Sequence, residues 1–430
     1  MKLIFNNLFY NNTILLIFTL IPSFIIFSKF LAEVLIFIII TSIIIKIIFY
    51  EKNIINFIYK YNNFFFLFLF FFFYIFINTL IQKTELNTTL KALALLRFSF
   101  LLMFPLLFIK TYNNTEGKKI IILGILLPPI LLSIDIYIQF FSGIDLLGYK
   151  ETIIGYGRFS GFFKDELIAG TYLYFGLFLC WSTCIKFKIN SYITSLLIFI
   201  IYTAIYLTGD RQPFFSLNLG LIILLFFFIK EIKKKIIVYF KKIVLFLSIL
   251  FFIFILVNDK SFNPLSKRYL NTLNEVKNFD IKESKYYYHF SKAILIFRHN
   301  PILGSGYKSF RNECSNPIYN DRYKNSLDKR HFDGCTTHPH NYYLEILSEL
   351  GAIGLLFFIY VIIKIIFVSI KNIFTDHENS TNYKVLTIFL LTFFFPLKPT
   401  GSFYTNFNLI MFFFTLTYFF FITKITIQKN

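Results

Sequence analysis

Two histidines, a proline and an asparagine stand directly before an apolar run in "THPHNYYLEILSELGAIGLL", residues 337–356. A neutral imidazole is the side chain best matched to taking a proton near neutral pH. Pro339 and Asn341 favour a turn and then a helix start, which puts His338 and His340 at or just before a helix N-terminus. Free backbone N–H groups there favour a bound anion, and Asn341 joins the candidate binding residues. Glu345 and Glu349 share a helix face with Asn341. Glu349 lies about 13 Å along the helix from His340 at about 1.5 Å per residue, and a carboxylate at that depth calls for a polar cavity. The plainer alternative is a pair of interfacial histidines bonded to loop carbonyls. H-x-H with one carboxylate is thin for a metal, so neither a metal nor a cofactor is expected.

Two arginines invite a complementary role. Arg211 sits in "LTGDRQPFF" (207–215), where one apolar run ends at Gly209 and the next begins at Pro213. Arg158 sits in "GYGRFSGFFKDELIAG" (155–170), with Lys164 six residues on. Guanidinium forks grip phosphate oxygens bidentately, although an interfacial arginine can equally touch lipid phosphate. Asp210 can pair with Arg211, but adjacent side chains usually diverge. In "FRHNPILGSGYKSFRNEC" (297–314), Gly304 and Gly306 lack the third glycine of a nucleotide fingerprint. They read better as a tight turn packing loop backbone against the membrane face, with Arg298 and Arg311 nearby.

These groups must be held by membrane helices. The chain has 430 residues, of which 57% are hydrophobic and only 15% charged, too few charges for a soluble fold. The expected class is an all-α polytopic membrane protein. About twelve spans are expected: 8–27, 31–50, 63–81, 92–110, 120–141, 167–184, 192–208, 213–229, 236–257, 343–367, 384–396 and 407–423. Residues 258–342 form one large loop subdomain with short helices, between helices one to nine (1–257) and ten to twelve (343–430). The first run lacks a small-x-small cleavage site and reads as an uncleaved span. The formal charge of +20 sits in short loops, where lysines orient helices and meet anionic headgroups, so nucleic acid is not an expected partner. Lys52, Lys60, Lys110, Lys118, Lys119, Lys186, Lys188 and "KEIKKK" mark the cytoplasmic loops, with both termini on that side. The loops carrying Arg158, Arg211 and the histidines then face outward.

Arg97 and Asp135 fall inside spans, where each must pair within the bundle or line a groove. Cys314 and Cys335 share the large outer loop, where an oxidising compartment favours a bridge, with two separate thiols as the alternative. Cys180 and Cys184 read as small packing residues.

"NPILGSGYKSF" followed by "THPHNYYLEILSELGAIGLL" resembles the signature region of the O-antigen ligase and polymerase superfamily, bacterial membrane glycosyltransferases that use lipid-linked glycans. The resemblance is strongest over 297–360 and extends to 155–215 through "GRFSGFF" and "TGDRQ". It implies a GT-C-like enzyme of the inner membrane with its active site facing the periplasm. His340 falls where the family has its catalytic histidine. Arg158 and Arg211 fall where arginines hold the diphosphate of an undecaprenyl-diphosphate-linked glycan. The implied reaction is metal-independent transfer of that glycan, with inversion, to an acceptor hydroxyl. Asp210 departs from the pattern, which usually has a small residue there. A further arginine is often found before the "NPILGSG" turn. Here that region reads "KYYYHF", so Lys285 or His289 is the expected substitute.

The leading function is a ligase moving the glycan to lipid A–core. A polymerase joining lipid-linked repeats uses the same chemistry. A transporter for the lipid-linked glycan is the alternative from another class, and it would need polar groups across the whole bilayer.

Overall fold

Backbone N–H and C=O groups find no water in hydrocarbon, so a chain this apolar must satisfy them inside helices. The computed structural model describes residues 8–50, 63–108, 114–150, 157–224, 226–227, 265, 267–271, 285–319 and 334–423. Their helices are α1 (Leu8–Phe27), α2 (Lys29–Tyr50), α3 (Asn63–Ile81), α4 (Leu86–Ala94), α5 (Leu96–Leu101), α6 (Phe104–Phe108), α7 (Thr115–Ser142), α8 (Ala169–Lys186) and α9 (Ser191–Leu207). They continue with α10 (Lys285–His299), α11 (Phe310–Glu313), α12 (Tyr342–Thr375), α13 (Ser380–Phe393) and α14 (Asn406–Thr423). Residues 211–224 are helical as well.

Among the described residues, six helices are long and apolar enough to cross a membrane: α1, α2, α3, α7, α12 and α14. The chain is therefore a polytopic helical membrane protein. α14 is buried along nearly its whole length and forms the centre of the bundle. Its Phe412 stacks on Phe393 of α13 with centroids 5.2 Å apart, and its Phe413 stacks on Phe98 of α5 at 5.3 Å. With no water to expel between helices in lipid, such close contacts and interhelical hydrogen bonds carry the assembly. One such bond joins Ser369 of α12 to Thr387 of α13 at 2.7 Å.

The expected span 92–110 differs from the sequence expectation. It is broken into pieces, α4 to α6, and Arg97 of α5 grips Glu33 of α2 through Nε (2.9 Å) and Nη2 (2.7 Å). A bidentate partner is what permits a guanidinium inside such a bundle. The expected span 236–257 and the "KEIKKK" cluster lie outside the described residues.

The second departure concerns the histidine helix. α12 does not run straight. Gly351 has φ +68° and ψ −167°, a backbone conformation open essentially to glycine alone. The turn before it presses in: Ala352 N–H donates to Pro301 O (2.9 Å), Ser305 N–H to Ser348 O (3.0 Å) and Gly306 N–H to Glu349 O (2.8 Å). The "NPILGSG" turn thus packs on the break in α12. Residues 342–350 form a separate piece of about two turns, and Glu345 and Glu349 stay at the level of the loops they bind.

Contacts between connections collect them at one end of the bundle. Lys29, opening α2, pairs with Glu166, and Gln82, just past α3, donates to Gly304 O (2.9 Å). Asp135, near the end of α7, accepts from Leu146 N–H (2.9 Å) and lies against Gly161.

A Cβ at residue 351 would stand 2.3 Å from Ile302 O. Gly351→Ala is expected to cost about 3 kcal/mol or more and to lower the thermal unfolding midpoint in detergent by several degrees. An unchanged midpoint would contradict this account of the break.

Candidate active site

The arginine half of the site is built on Asp210. This carboxylate sits in the turn after α9 and is only 6% exposed. Its Oδ1 accepts from Arg158 Nε at 2.9 Å and also from Arg158 Nη2, and its Oδ2 accepts from Gly170 N–H at 3.0 Å, at the start of α8. Arg158 Nη2 also donates to Leu167 O (2.9 Å). Phe159 N–H closes the same junction onto Thr208 O (3.0 Å). Gly209 has φ +69°, and a Cβ there would meet Gly157 O at 2.1 Å, so the turn and the arginine loop can approach only through glycine. Asp210 pairs with Arg158, 52 residues earlier, and the expectation that it diverges from Arg211 is consistent with that partner. Burial pushes the Asp210 carboxyl up, and the Arg158 guanidinium pulls it back down.

Arg268 completes this cluster. Tyr269 O–H donates to Tyr206 O (2.9 Å), and its ring stacks on that of Tyr206 at 4.9 Å and 16°. This docks the 267–271 segment on the end of α9 and lets Arg268 Nε donate to Gly209 O (3.4 Å). Arg268 feels the charges of Arg158, Arg211 and Asp210, and its guanidinium is pushed down first by burial and then by the two like charges. Arg268 thus lies within electrostatic reach of two further guanidinium groups and of the Asp210 carboxylate. Lys164 stays in the Arg158 loop, exposed, with Nζ 4.9 Å from the Tyr149 ring.

The histidine half is built on residues 334–341. The His338 and His340 ring centroids are 4.2 Å apart, and His289 of α10 approaches His340 at 5.1 Å. Tyr286, one turn before His289, meets His340 edge-on at 5.8 Å. His289 Nδ1–H donates to Gly334 O (2.9 Å), which ties α10 to the loop. Cys314 and Cys335 are joined in a disulfide that closes the same junction. His340 itself has φ +56°, a left-handed conformation rare outside glycine and asparagine, and Thr400 N–H holds it by donating to His340 O (2.8 Å). Burial pushes both imidazoles down, His338 to about 4, with neighbouring histidine charge adding to the effect. Both rings are therefore neutral near pH 7.

Several sequence expectations need correction. Asn341 is not open to a ligand. It caps α12, with Oδ1 accepting from Tyr343 N–H (3.0 Å) and Leu344 N–H (3.1 Å) and Nδ2 donating to Pro396 O (2.7 Å). Its side chain occupies the helix N-terminus where an anion was expected. Glu349 is fully buried, and its oxygens accept from Lys308 N–H (2.8 Å) and Phe310 N–H (3.2 Å), so it clamps a loop. Glu345 does the same for Phe403 N–H (2.8 Å). Arg298 is exposed at the far end of α10, about 13 Å along the helix from His289. The two expected substitutes for the family's further arginine both lie on α10. His289 belongs to the histidine cluster, Lys285 opens α10 with its side chain outside the described residues, and the third guanidinium is Arg268. The signal that could have found Arg268 is the Arg-Tyr pair early in the large loop, whose tyrosine has an aromatic partner at the end of α9.

The two halves are joined through α8. Gly170, on Asp210, is one turn before Tyr174, about 6 Å along the helix. Lys398 Nζ lies 6.0 Å from the Tyr174 ring, and the Lys398 carbonyl accepts from Asn341 Nδ2 (3.5 Å), next to His340. The Lys398 ammonium is buried, donates to Thr392 O (2.8 Å), and is pushed down to about 7 by that burial.

A helical membrane protein with guanidinium groups and neutral imidazoles at one end of its bundle is the class that fold and site define. A protein-family model described as O-antigen ligase matches residues 196–359, from α9 through the first half of α12. This bears out the resemblance to the O-antigen ligase and polymerase superfamily, whose members are glycosyltransferase-like enzymes. The match includes Arg211, Arg268 and all three clustered histidines, and Arg158 lies before it. No curated protein matches the chain.

His338 binds a proton less readily folded than unfolded. Between its usual value of 6.5 and about 4 the unfolded chain holds more protons. Its contribution to stability is full above the unfolded value and is lost as pH falls through that window. The unfolding midpoint should drop on acidification from pH 7 to 4.5, and less so in His338→Gln. Parallel curves for the two proteins would contradict the burial of this ring.

Proposed function

We propose that this protein transfers a glycan from undecaprenyl diphosphate to an acceptor hydroxyl, as an O-antigen ligase acting on lipid A–core. The supporting observation is that Arg158, Arg211 and Arg268 form one cluster and His289, His338 and His340 another, linked through α8 and the 394–405 segment. In this reading Arg158, Arg211 and Arg268 hold the diphosphate, and Arg158 is fixed in place by Asp210. Neutral His340 takes the acceptor's proton. The acceptor oxygen attacks the anomeric carbon from the face opposite the leaving group. The carbon–oxygen bond to phosphate breaks, and the electron pair departs on undecaprenyl diphosphate. The guanidinium groups stabilise that departing charge. The reaction so written inverts the anomeric centre and calls for no metal. The site faces the periplasm of an inner-membrane protein whose termini are cytoplasmic. A polymerase of the same superfamily would differ in its acceptor alone.

The test is purified protein with lipid-linked glycan and lipid A–core in the presence of chelator. Product is expected, and its absence would overturn the reading. His340→Ala should cut the rate about a hundredfold or more while donor binding persists. Arg268→Ala should raise the donor KM by about ten- to a hundredfold, the effect of losing charge-assisted hydrogen bonds. Retained rate in the first variant, or an unchanged donor KM in the second, would contradict the assigned role. The acid limb of kcat/KM should lie below pH 6.5, because burial holds His340 neutral to lower pH. Gene deletion separates the two acceptors: uncapped core with long polymer left on the carrier indicates a ligase, and core bearing a single repeat indicates a polymerase.

A further inference from the structure

The segment between α13 and α14, residues 394–405, is unused in the reaction described so far, yet it is fastened to the histidine motif. Asn341 Nδ2 holds Pro396 O, Thr400 N–H holds His340 O, and the Lys398 side chain anchors the segment to the last turn of α13 through Thr392 O. Pro399 stiffens the backbone just before Thr400. Thr400 is therefore a fixed point beside His340.

Its hydroxyl has no structural task. Thr400 is 7% exposed, and its Oγ1 is buried without a hydrogen-bond partner. The Nε2 of His338 is in the same state. The Thr400 backbone interacts with both imidazoles, which puts residue 400 beside the His338–His340 pair. His338 Nδ1 is already engaged with the Thr337 hydroxyl at 2.9 Å. A buried polar atom left unbonded costs about 1–3 kcal/mol, so two of them against the proposed base amount to a sizeable local destabilisation. Such atoms call for an explanation, and a catalytic or binding role is one.

We propose that Thr400 Oγ1 and His338 Nε2 form the subsite for the acceptor, gripping a sugar hydroxyl next to the one His340 deprotonates. A sugar hydroxyl both donates and accepts one hydrogen bond, and it matches a threonine hydroxyl and a neutral imidazole nitrogen in either tautomer. His338 and His340 are both half-buried. The subsite rests on the glycan-transfer reading. It adds that acceptor recognition is carried by the α13–α14 segment, apart from the arginines that hold the donor.

Thr400→Val removes the hydroxyl and keeps the shape and the backbone N–H that holds His340. Purified wild type, Thr400→Val and Thr400→Ser are compared with undecaprenyl-diphosphate-linked glycan as donor and lipopolysaccharide lacking O-antigen as acceptor. The valine variant should raise the acceptor KM about five- to tenfold, the loss of one hydrogen bond, and leave the donor KM in place. Serine should restore the acceptor KM. The unfolding midpoint without substrate should stay level or rise in the valine variant, since an unsatisfied buried hydroxyl has been removed. A hydroxyl with a purely structural role would instead lower that midpoint and leave the acceptor KM alone. Wild-type protein that transfers glycan, with an acceptor KM unmoved by valine, overturns the subsite and leaves the transferase reading standing. Wild-type protein that transfers nothing overturns both.

Discussion

The arginine end of the bundle depends on one buried carboxylate. Asp210 accepts from Arg158 and from Gly170 N–H, and so ties the Arg158 loop, the turn after α9 and the start of α8 into one unit. Like-charged guanidinium groups drawn together repel by an amount that grows as water is excluded. A single fixed anion holds Arg158 directly, interacts with Arg268, and leaves the cluster cationic. That is the electrostatic condition for binding a diphosphate at a membrane surface. Removing the anion would both release Arg158 and expose Gly170 N–H without a partner.

The histidine cluster is held by a different device. Its residues are positioned by buried carboxylates that bind backbone and not cations: Glu349 takes the amides of the 304–310 turn, and Glu345 takes Phe403 N–H. With the cap at Asn341 and the break at Gly351, these bonds convert a greasy helix start into a rigid platform. The left-handed backbone of His340 is strain of the kind that persists only where surrounding bonds over-determine it. Here Thr400 N–H and the Asn341 cap supply those bonds.

Several spans were legible in the sequence because lipid leaves a chain few choices. Runs such as 63–81 and 407–423 could hardly be anything but helices, and α3 and α14 occupy them almost to the residue. The run 92–110 was misread because hydropathy weighs Arg97 against its neighbours and cannot see Glu33, 64 residues away, which gives it a partner. Periodicity placed Asn341, Glu345 and Glu349 on one face. It could not show that Gly351 ends that face after two turns, since the break depends on the backbone of Ile302 and Gly304 pressing on it. Arg268 escaped because its place is set by the stacking of Tyr269 on Tyr206, a contact across 63 residues that no local pattern carries. Arg158, Arg211 and His340 stood out because their residue types, in loops of one side, are unusual for a chain of this composition.

The most direct measurement is a cryo-electron microscopy map of the protein in nanodiscs with undecaprenyl-diphosphate-linked glycan bound. The account predicts diphosphate density within hydrogen-bonding distance of Arg158, Arg211 and Arg268, with the first sugar facing His340. Diphosphate bound elsewhere on the bundle, with these arginines untouched, would contradict it.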